Sequence, residues 1–369
     1  MIIGIDGNEA NVEKKVGIGE YAFELLQQFE KLSLANVQFL IYLKSPPRSE
    51  LPKEREGWGY KIVGPSKFWT QFGLPIYLYT HGPRPSVFFT PTHYAPRFSP
   101  VPTVVSVMDL SYIHFPQLFK SSDLYQLRNW TAYSVRKAKK VFTISNASKD
   151  DIIKIYQTPV EKVVVTYPGI KRKTPMEKQN PQLLEEKYGI IGEYVLFVGT
   201  LQPRKNITSL IEAFSKIKKK DISLVIVGKK GWLFEEILEA PKKFNVEETV
   251  KFLDFVPDED LPLLYKGAIC FVLPSLYEGF GLPVLEAMQY ECPVITSNIS
   301  SLPEVGGDAA LYVDPKNVED IAEKIAMLIE DKKLRSQLIK KGKEQVKNFS
   351  WEKTAKETLA VLEEVAKGN

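Results

Sequence analysis

Residues 275–294 read SLYEGFGLPVLEAMQYECPV and hold most of what the sequence says about architecture. The overlapping segment CFVLPS predicts a buried strand, and LPVLEAMQY predicts the helix that follows it. Pro283 falls in the first turn of that helix, where proline is tolerated. Gly279 and Gly281 then form the strand-to-helix turn, a place where backbone can approach a ligand closely.

The same turn predicts a phosphate site, because a helix start offers free N–H groups and the positive end of the helix dipole. Glu286 lies about one turn into the helix and Glu278 lies before the turn, so both carboxylates are placed to accept hydrogen bonds from hydroxyl groups. A phosphate flanked by two such carboxylates describes a sugar nucleotide. A purely structural explanation stays equally open from this segment alone, since acidic residues often only complement a helix dipole.

A second motif is YVLFVGTLQPRKNITSLIEAF, residues 194–214. The predicted strand ends at Gly199, and Asn206 or Thr208 starts the next helix, which places Arg204 and Lys205 at the carboxyl edge of a sheet. Two adjacent cations there suit a diphosphate. The alternative is a solvated pair of surface cations.

A third motif, VEKKVGIGEYAFELLQQF, covers residues 12–29 and places Gly17 and Gly19 before an amphipathic helix. The spacing lacks the third glycine of the dinucleotide fingerprint. A glycine loop contacting phosphate or acceptor is the functional interpretation of this weak signal.

The whole chain alternates short β-branched runs with longer amphipathic ones, a pattern that predicts an α/β fold with parallel sheets. Tyr167–Gln182 combines prolines, a glycine and a basic run, which favours a domain boundary there. Two Rossmann-like doubly wound domains facing each other across a cleft are therefore expected, with ligand at the carboxyl ends of the strands. Ser350 is expected to cap the last helix. The expected strands are MIIGID, VQFLIYL, SVFF, TVVSV, KVFTI, YVLFV, ISLVIV, TVKF, CFVL, PVIT and ALYV, and the expected helices are 18–31, 121–137, 206–219, 258–266, 282–290 and 316–330.

Composition narrows the class of protein. The chain has 369 residues, enough for two hydrophobic cores, with 44% apolar and 25% charged residues. No apolar run approaches the ~20 residues of a membrane span, and MIIGIDGNEA is interpreted as a first strand rather than a leader. Cys270 and Cys292 are expected to be buried free thiols. His81, His93 and His114 have no metal-ligand spacing, so no metal site is expected, and the cytosol is the expected location.

Charge is uneven along the chain. Residues 1–170 hold 20 Lys and Arg against 14 Asp and Glu, a net +6, whereas the remainder holds 29 against 31, a net −2. A basic front half suggests an anionic partner or a weak peripheral contact with an anionic membrane. The aromatic segment KFWTQFGLPIYLY, residues 67–79, is a candidate for insertion, although a buried helix is the favoured interpretation.

These motifs together resemble the family-four retaining glycosyltransferases of the GT-B fold over nearly the whole chain. The pattern of two glutamates eight positions apart in EGFGLPVLEAM is the most specific element, and its order relative to PRKN agrees. The other matching pieces are GIGEY, VMDLSYIHFPQLF, FTISNASKDDI, VGTLQPRKN, VGKKGWL, FVPDEDLPLLYKGA and NFSWEKTA.

The resemblance implies roles for individual residues. Arg204 and Lys205 would hold the donor diphosphate, Glu278 the donor sugar hydroxyls and Glu286 the ribose. The backbone of Gly279 to Leu282 would contact sugar and phosphate, and the loop at Gly231–Trp232 and the segment around Val256–Pro257 would border the base. Gly17 and Gly19 would close on the donor phosphate or the acceptor, and the front domain would bind the acceptor. The implied catalytic residues are Glu278, Lys205, Arg204 and Asp109, and the implied donor-binding residues are Gly17, Gly19, Thr200, Gly231, Val256, Gly279, Phe280, Gly281, Leu282 and Glu286.

Two positions depart from the family's pattern. Met108 stands where many relatives have histidine, and Thr200 stands where many have arginine. The GTLxPRKN form is similar to a branch rich in mannosyltransferases, which favours GDP-mannose over a UDP-sugar as donor.

The expected function is therefore metal-independent transfer of a hexose, mannose favoured, from a nucleotide diphosphate sugar to a sugar or lipid-linked sugar hydroxyl. No nucleic-acid partner is expected. Residues 1–170 would form the acceptor domain, 171–348 the donor domain, and 349–369 a helix packing back on the first. The alternatives are a non-catalytic sugar-nucleotide-binding subunit and, less favoured, an epimerase of similar architecture.

Overall fold

The computed structural model describes residues 1–32, 36–170, 181–219 and 221–368. Their contacts divide the chain into two compact units, Met1–Gly169 with Phe349–Asn369, and Ile170–Asn348. The predicted boundary stretch between Tyr167 and Gln182 lies largely outside the described residues. Each unit is an α/β body built on a parallel sheet, as the alternation of strand-like and helix-like segments predicts.

The first unit contains a seven-stranded sheet with the order β3-β2-β1-β4-β5-β6-β7, and every described pairing is parallel. Strand order reverses between β1 and β4, as in a Rossmann-type sheet. The strands are β1 (Ile2–Asp6), β2 (Gln38–Leu43), β3 (Trp58–Ile62), β4 (Val87–Thr90), β5 (Thr103–Ser106), β6 (Lys140–Thr143) and β7 (Val163–Val165).

Both faces of this sheet are covered. Along β2, Phe39 and Ile41 join one apolar cluster, whereas Leu40 and Tyr42 join another. Alternate residues of a strand point to opposite faces, so the strand must be apolar throughout to be buried on both. The helices of this part of the chain are α1 (Ile18–Leu32), α2 (Leu74–Thr80), α3 (Ser111–His114), α4 (Ser121–Lys137) and α5 (Asn146–Tyr156).

The second unit repeats the plan with a six-stranded sheet of order β10-β9-β8-β11-β12-β13, again parallel in all described pairs. Its strand order reverses between β8 and β11. Its strands are β8 (Glu193–Val198), β9 (Ile222–Val227), β10 (Val250–Leu253), β11 (Cys270–Leu273), β12 (Val294–Ser297) and β13 (Ala310–Val313), and its helices are α6 (Pro181–Tyr188), α7 (Ile207–Ser215), α8 (Glu235–Lys243), α9 (Leu261–Gly267), α10 (Leu282–Gln289), α11 (Leu302–Gly306), α12 (Val318–Glu330) and α13 (Lys332–Gln345).

The last helix, α14 (Trp351–Ala366), belongs to the first unit. The Ser350 hydroxyl accepts a hydrogen bond from the Lys353 N–H, which confirms the predicted cap. Trp351 meets Tyr21 of α1 edge to face, with ring centroids 5.8 Å apart. Trp351 also joins the same apolar cluster as β1 and β2, so α14 completes the cover on that face of the sheet.

All eleven predicted strands are present, and the two that the prediction missed have identifiable reasons. The edge strand β3 reads WGYKI, where Gly59 and Lys61 interrupt the apolar run, and β7 spans three residues. The Rossmann-like doubly wound class is confirmed. Cys270 and Cys292 are buried free thiols, as predicted.

Segment 67–79 departs from its favoured interpretation as a buried helix. A π-helical turn, Trp69–Gly73, leads into α2, and the combined segment buries one side and exposes the other. Trp69 and Leu78 are buried while Phe72 is exposed. Among the described residues, no helix is both long enough and apolar enough to cross a membrane.

Candidate functional site

Three charged side chains that the sequence places in two separate motifs form one buried cluster in the second unit. Glu278 Oε1 lies 2.5 Å from Lys205 Nζ, and Glu278 Oε2 lies 2.9 Å from Arg204 Nη1. The Ser275 hydroxyl donates a further hydrogen bond of 2.7 Å to Glu278 Oε1. The three ionic groups together carry a net charge of +1.

Burial would raise the pKa of Glu278, but the charges of Lys205 and Arg204 and the hydrogen bonds from Lys205 and Ser275 outweigh it and lower this pKa from 4.5 to about 2. Glu278 is therefore ionised at neutral pH. An ionised carboxylate in this position holds both cations in place and fixes the geometry that they offer to an anion.

The cluster lies where the strand order of the sheet reverses. Arg204 and Lys205 follow β8, Glu278 follows β11, and these strands are neighbours. At such a switch point the loops after two adjacent strands diverge to opposite faces and leave a crevice at the carboxyl edge, where ligands of open α/β sheets bind. The backbone N–H of Leu276 also donates to the Arg204 carbonyl at 2.8 Å, which joins the two loops directly.

The turn before α10 requires its glycine. Gly281 has φ +115°, and a Cβ atom there would lie 2.8 Å from Leu302 Cδ2. The Ser301 hydroxyl lies within hydrogen-bond distance of two carbonyl oxygens of the turn, at 2.9 Å from Glu278 and 2.7 Å from Phe280. The loop after β12 thus supports the turn that precedes α10.

Asn206 secures the other side of the cluster. Its backbone is left-handed, with φ +59°, and α7 begins at the next residue, Ile207. Asn206 is therefore the N-cap of α7, in agreement with one of the two predicted helix starts. Its side-chain amide donates to the Pro274 carbonyl at 3.1 Å and to the Pro315 carbonyl at 2.6 Å. Asn206, the last residue of the PRKN motif, therefore has a structural role, because it hydrogen-bonds the loop after β8 to the loops after β11 and β13.

Glu286 lies in the fifth position of α10 and is partly exposed. Its Oε2 accepts a hydrogen bond of 3.0 Å from the Tyr265 hydroxyl, which belongs to α9. Burial and the Glu286 carboxylate raise the pKa of Tyr265 well above its usual 10, so this phenol stays protonated and keeps donating. Glu286, the residue predicted to bind the ribose, is thus held in one orientation by the buried Tyr265 hydroxyl.

The remaining predicted donor residues of this unit lie along the same sheet edge. Thr200 and Gly231 are adjacent, since a Cβ on Gly231 would lie 2.7 Å from Thr200 Cγ2. The loop after β10, which contains Val256, lies beside the loop after β9. Lys229 Nζ of the β9 loop lies 4.4 Å from the ring centroid of Phe255, which precedes Val256. The side chain of Val256 and that of Phe280 are buried, whereas Gly279, Gly281 and Leu282 form the turn and the first residue of α10.

The other predicted residues belong to the first unit. Gly17 is exposed with φ +52°, one residue before α1, and Gly19 is buried in its first turn. Asp109 follows β5 and accepts a hydrogen bond of 2.8 Å from the Ser111 N–H. Met108, one of the two positions interpreted as departures from the family's pattern, packs in the apolar core of this unit. Roles for Gly17, Gly19 and Asp109 in binding or catalysis stay predictions.

Sequence reasoning missed two titratable residues near the switch point of the first sheet. Asp6 ends β1, and burial, opposed by hydrogen bonds from Asn8 and the charge of Lys44, raises its pKa from 3.8 to about 6. His93 follows β4, and burial lowers its pKa against the opposing charge of Asp109. The His93 ring nitrogen Nδ1 is buried although the residue is partly exposed. Their position at the end of β1 and just after β4, the strands flanking the switch point, was the available signal.

Comparison with known proteins agrees with this architecture. Residues 184–345 match the family model described as "Glycosyl transferases group 1". The O-antigen chain mannosyltransferase B of Escherichia coli is 33% identical over 306 residues, which are 81% of this chain and 78% of that protein. The O-antigen chain mannosyltransferase RfbU of Salmonella typhimurium is 30% identical over 232 residues, 60% of this chain and 62% of that protein.

Solved structures share the fold. Sucrose-phosphate synthase from Thermosynechococcus elongatus superposes with a TM-score of 0.77 at 17% identity, covering all of both chains. Anabaena HepE, solved in complex with UDP and glucose, has a TM-score of 0.74 at 18% identity over 98% of this chain and 99% of its own. With two Rossmann-like units, this arrangement of motifs and these relatives, the chain belongs to the group 1 glycosyl transferases, the family-four type of glycosyltransferase with the GT-B fold.

Proposed function

We propose that this glycosyltransferase moves a mannosyl residue from a nucleotide diphosphate mannose to a hydroxyl group of a glycan acceptor, with retention at the anomeric carbon. The observation that carries the proposal is the buried cluster of Arg204, Lys205 and Glu278 at the switch point of the second sheet. Two of its three ionic groups are cations, so the cluster favours a ligand that brings negative charge to this edge.

A diphosphate fits this requirement. Arg204 offers a planar fork of donors and Lys205 a compact charge, the two kinds of contact that phosphate oxygens accept well. The start of α10 adds backbone N–H groups beside the same cluster. In transfer chemistry these groups stabilise the negative charge that develops on the leaving diphosphate.

The order of the loops along the sheet edge suits the rest of a nucleotide sugar. Val256, Gly231, Arg204 and Glu278 follow β10, β9, β8 and β11, which are consecutive neighbours in the sheet. Strands lie ~4.8 Å apart, so these four loops span roughly 14 Å, a length suited to base, diphosphate and sugar in a row. The exposed rings of Trp232 and Phe255 offer apolar faces at the proposed base end.

Mannose is the proposed sugar because the names of the similar proteins specify mannosyltransferases. Both of those proteins are named for O-antigen chains, so the proposed acceptor is a growing polysaccharide or a lipid-linked sugar. The proposed nucleotide is GDP. The first unit is the proposed acceptor side, through the glycine loop at Gly17 and Gly19 and the segment at Asp109.

We propose front-face substitution for the chemical step. The bond between the anomeric carbon and the leaving phosphate oxygen breaks, the acceptor oxygen bonds to the same face of that carbon, and the departing phosphate oxygen takes the acceptor proton. Arg204 and Lys205 supply the positive charge that the leaving group requires, so the proposal involves no metal ion.

Incubation of the purified full chain with GDP-mannose, UDP-glucose and UDP-galactose tests the proposal. The expected result is release of GDP in the presence of a mannose-terminated acceptor, with an α-linked product by NMR and unchanged rate after chelator treatment. If the protein binds donor tightly but releases no nucleotide, whichever acceptor is added, the result would instead support a non-catalytic sugar-nucleotide-binding subunit. A β-linked product would contradict retention.

A further inference from the structure

One side of the helical segment Trp69–Thr80 in the first unit presents large apolar side chains to solvent. Trp69, Leu74 and Leu78 pack into the core cluster beneath it. Phe68, Phe72, Ile76 and Tyr79 are 54%, 60%, 58% and 51% exposed. Phe72, Ile76 and Tyr79 are spaced by four and three residues, which brings their side chains onto one face of the helical segment. The Phe68 ring centroid lies 6.4 Å from that of Phe72, so these four form a continuous stripe.

A fifth exposed apolar side chain lies beside this stripe. The Arg97 N–H donates to the Thr70 carbonyl at 3.0 Å, which fixes the loop at 97–98 against the first turn of the segment. Phe98, the next residue, is 73% exposed. We call Phe68, Phe72, Ile76, Tyr79 and Phe98 the apolar patch.

Two members of the apolar patch have a strained backbone. Phe68 has φ +54° and Phe98 has φ +51°, a left-handed conformation that bulky residues rarely adopt because it costs free energy. Each ring is more than half exposed, so burial within this unit does little to offset that cost. A role that needs both rings at the surface would explain it.

The stretch of chain that contains the apolar patch carries charges of one sign. Residues 57–108 contain four cations, Lys61, Lys67, Arg84 and Arg97, and no Asp or Glu. Lys67 Nζ lies 5.5 Å from the ring centroid of Phe68, and Arg84 Nη2 donates to the Tyr79 carbonyl at 2.6 Å. Cations thus flank both ends of the stripe.

We propose that the apolar patch inserts into the interfacial layer of an anionic lipid bilayer while Lys67, Arg84 and Arg97 face the lipid phosphates. Apolar side chains on one helix face with a cationic rim are the features that interfacial helices use. A second copy of the chain is disfavoured because a two-fold contact would bring the same cations together. The inference rests on the proposed function, which places the acceptor on this unit and makes a lipid-linked sugar one of its acceptors.

Co-sedimentation of the full chain with vesicles tests this, using phosphatidylcholine alone and phosphatidylcholine mixed equally with phosphatidylglycerol. The double variant Phe72→Gln/Ile76→Gln should bind the mixed vesicles at least about tenfold more weakly than wild type, because two apolar side chains no longer enter the lipid. The matched control Tyr125→Gln/Val160→Gln removes two apolar side chains that are exposed elsewhere in the same unit and should bind as wild type does. Equal binding by all three proteins would overturn the proposal.

Insertion is separated from surface adsorption by fluorescence. In a Phe72→Trp variant, lipid carrying bromine on the acyl chains should quench the new emission, whereas a Val160→Trp variant should show no added quenching. Quenching of neither would mean that charge alone holds the protein at the surface, and the apolar patch would not insert. Light scattering tests the alternative that a second copy of the chain covers the apolar patch. If wild type is a dimer and the Phe72→Gln/Ile76→Gln variant is a monomer, the proposal is overturned.

These measurements contain no nucleotide sugar and no acceptor, so they stand apart from the proposed function. Turnover of donor with a water-soluble acceptor, without vesicle binding, would overturn the lipid contact alone. Vesicle binding with the expected variant pattern but no turnover would leave the lipid contact standing and overturn the proposed function.

Discussion

Lys205 Nζ and Glu278 Oε1 lie 2.5 Å apart inside the second unit although 73 residues separate them in the chain. Both side chains are more than 90% buried. This contact joins the loop after β8, the proposed phosphate-binding loop, to the glycine turn after β11, so each motif depends on the other for its geometry.

A double-mutant cycle on this pair should show strong coupling. Lys205→Met leaves the buried Glu278 carboxylate with less compensation and should cost on the order of 3 kcal/mol in the free energy of unfolding. Adding Glu278→Gln removes the charge left behind, so the double variant should be less destabilised than the sum of the single variants by about 1–3 kcal/mol. Urea denaturation of the four proteins gives these values.

Activity should not recover in that double variant. A charge-assisted phosphate contact is worth roughly 1.5–3 kcal/mol, so kcat/KM should stay on the order of 10- to 100-fold below wild type.

Lys216→Met, which breaks an exposed pair with Glu319, is the control for the stability measurements and should change the free energy of unfolding by about 0.5 kcal/mol or less. Purely additive stabilities would show that the buried contact contributes no coupling.

Acid should destabilise wild type more than Glu278→Gln. The pKa of Glu278 is about 2 in the folded protein against an ordinary 4.5, so its stabilising effect is complete above pH ~5 and is lost as the pH falls towards 2. Over that window, the stability of wild type relative to the variant should drop by about 3 kcal/mol. Denaturant titrations at four pH values check this, and parallel curves would contradict the lowered pKa.

Asp6→Asn should have the opposite pH dependence. Burial raises the pKa of Asp6 from 3.8 to about 6, so folding disfavours its charged form, and wild type gains stability as the pH falls from about 7 to below 4. The asparagine in the variant does not titrate, so the stability of the variant relative to wild type should be about 2–2.5 kcal/mol more favourable at pH 8 than at pH 4. Thermal unfolding across this range measures the difference, and a constant gap would show that Asp6 titrates normally.

The two glutamates of the glycine-turn motif should respond differently in kinetics. Glu278→Gln disturbs Arg204 and Lys205, the groups proposed to hold the leaving diphosphate, and should mainly lower kcat. Glu286→Gln should mainly raise KM, about tenfold, for every donor with the same ribose. Initial rates with a GDP-sugar and a UDP-sugar distinguish the two.

A graded set of variants tests the orientation of Glu286. Tyr265→Phe removes one hydrogen bond to its carboxylate and should raise KM by a few-fold, less than Glu286→Gln does. Glu291→Gln alters a carboxylate paired with Lys343 just after α10 and should leave both constants unchanged. Equal losses in nucleotide binding for Glu278→Gln and Glu286→Gln would refute the division of roles.

The sequence by itself determined the local structure. Apolar runs predicted eleven strands because buried parallel strands must be apolar on both faces, and Ser350 marked the start of the last helix because a hydroxyl there satisfies a free N–H. The pattern around Glu278 and Glu286 likewise predicted the turn, the helix after it and the family. These features depend on neighbours close in the chain.

Only the tertiary structure decided which distant residues meet. The order β10-β9-β8-β11 brings Glu278 to Lys205 and makes Ser301 and Asn206 supports of the site, because each pairs with groups on another loop. The same reason explains segment 67–79, where the apolar residues cover every side and no periodicity distinguishes the buried face from the exposed one. Phe72 is exposed and Trp69 buried because the sheet beneath offers contact to one face only, and that selection is made by packing rather than by composition.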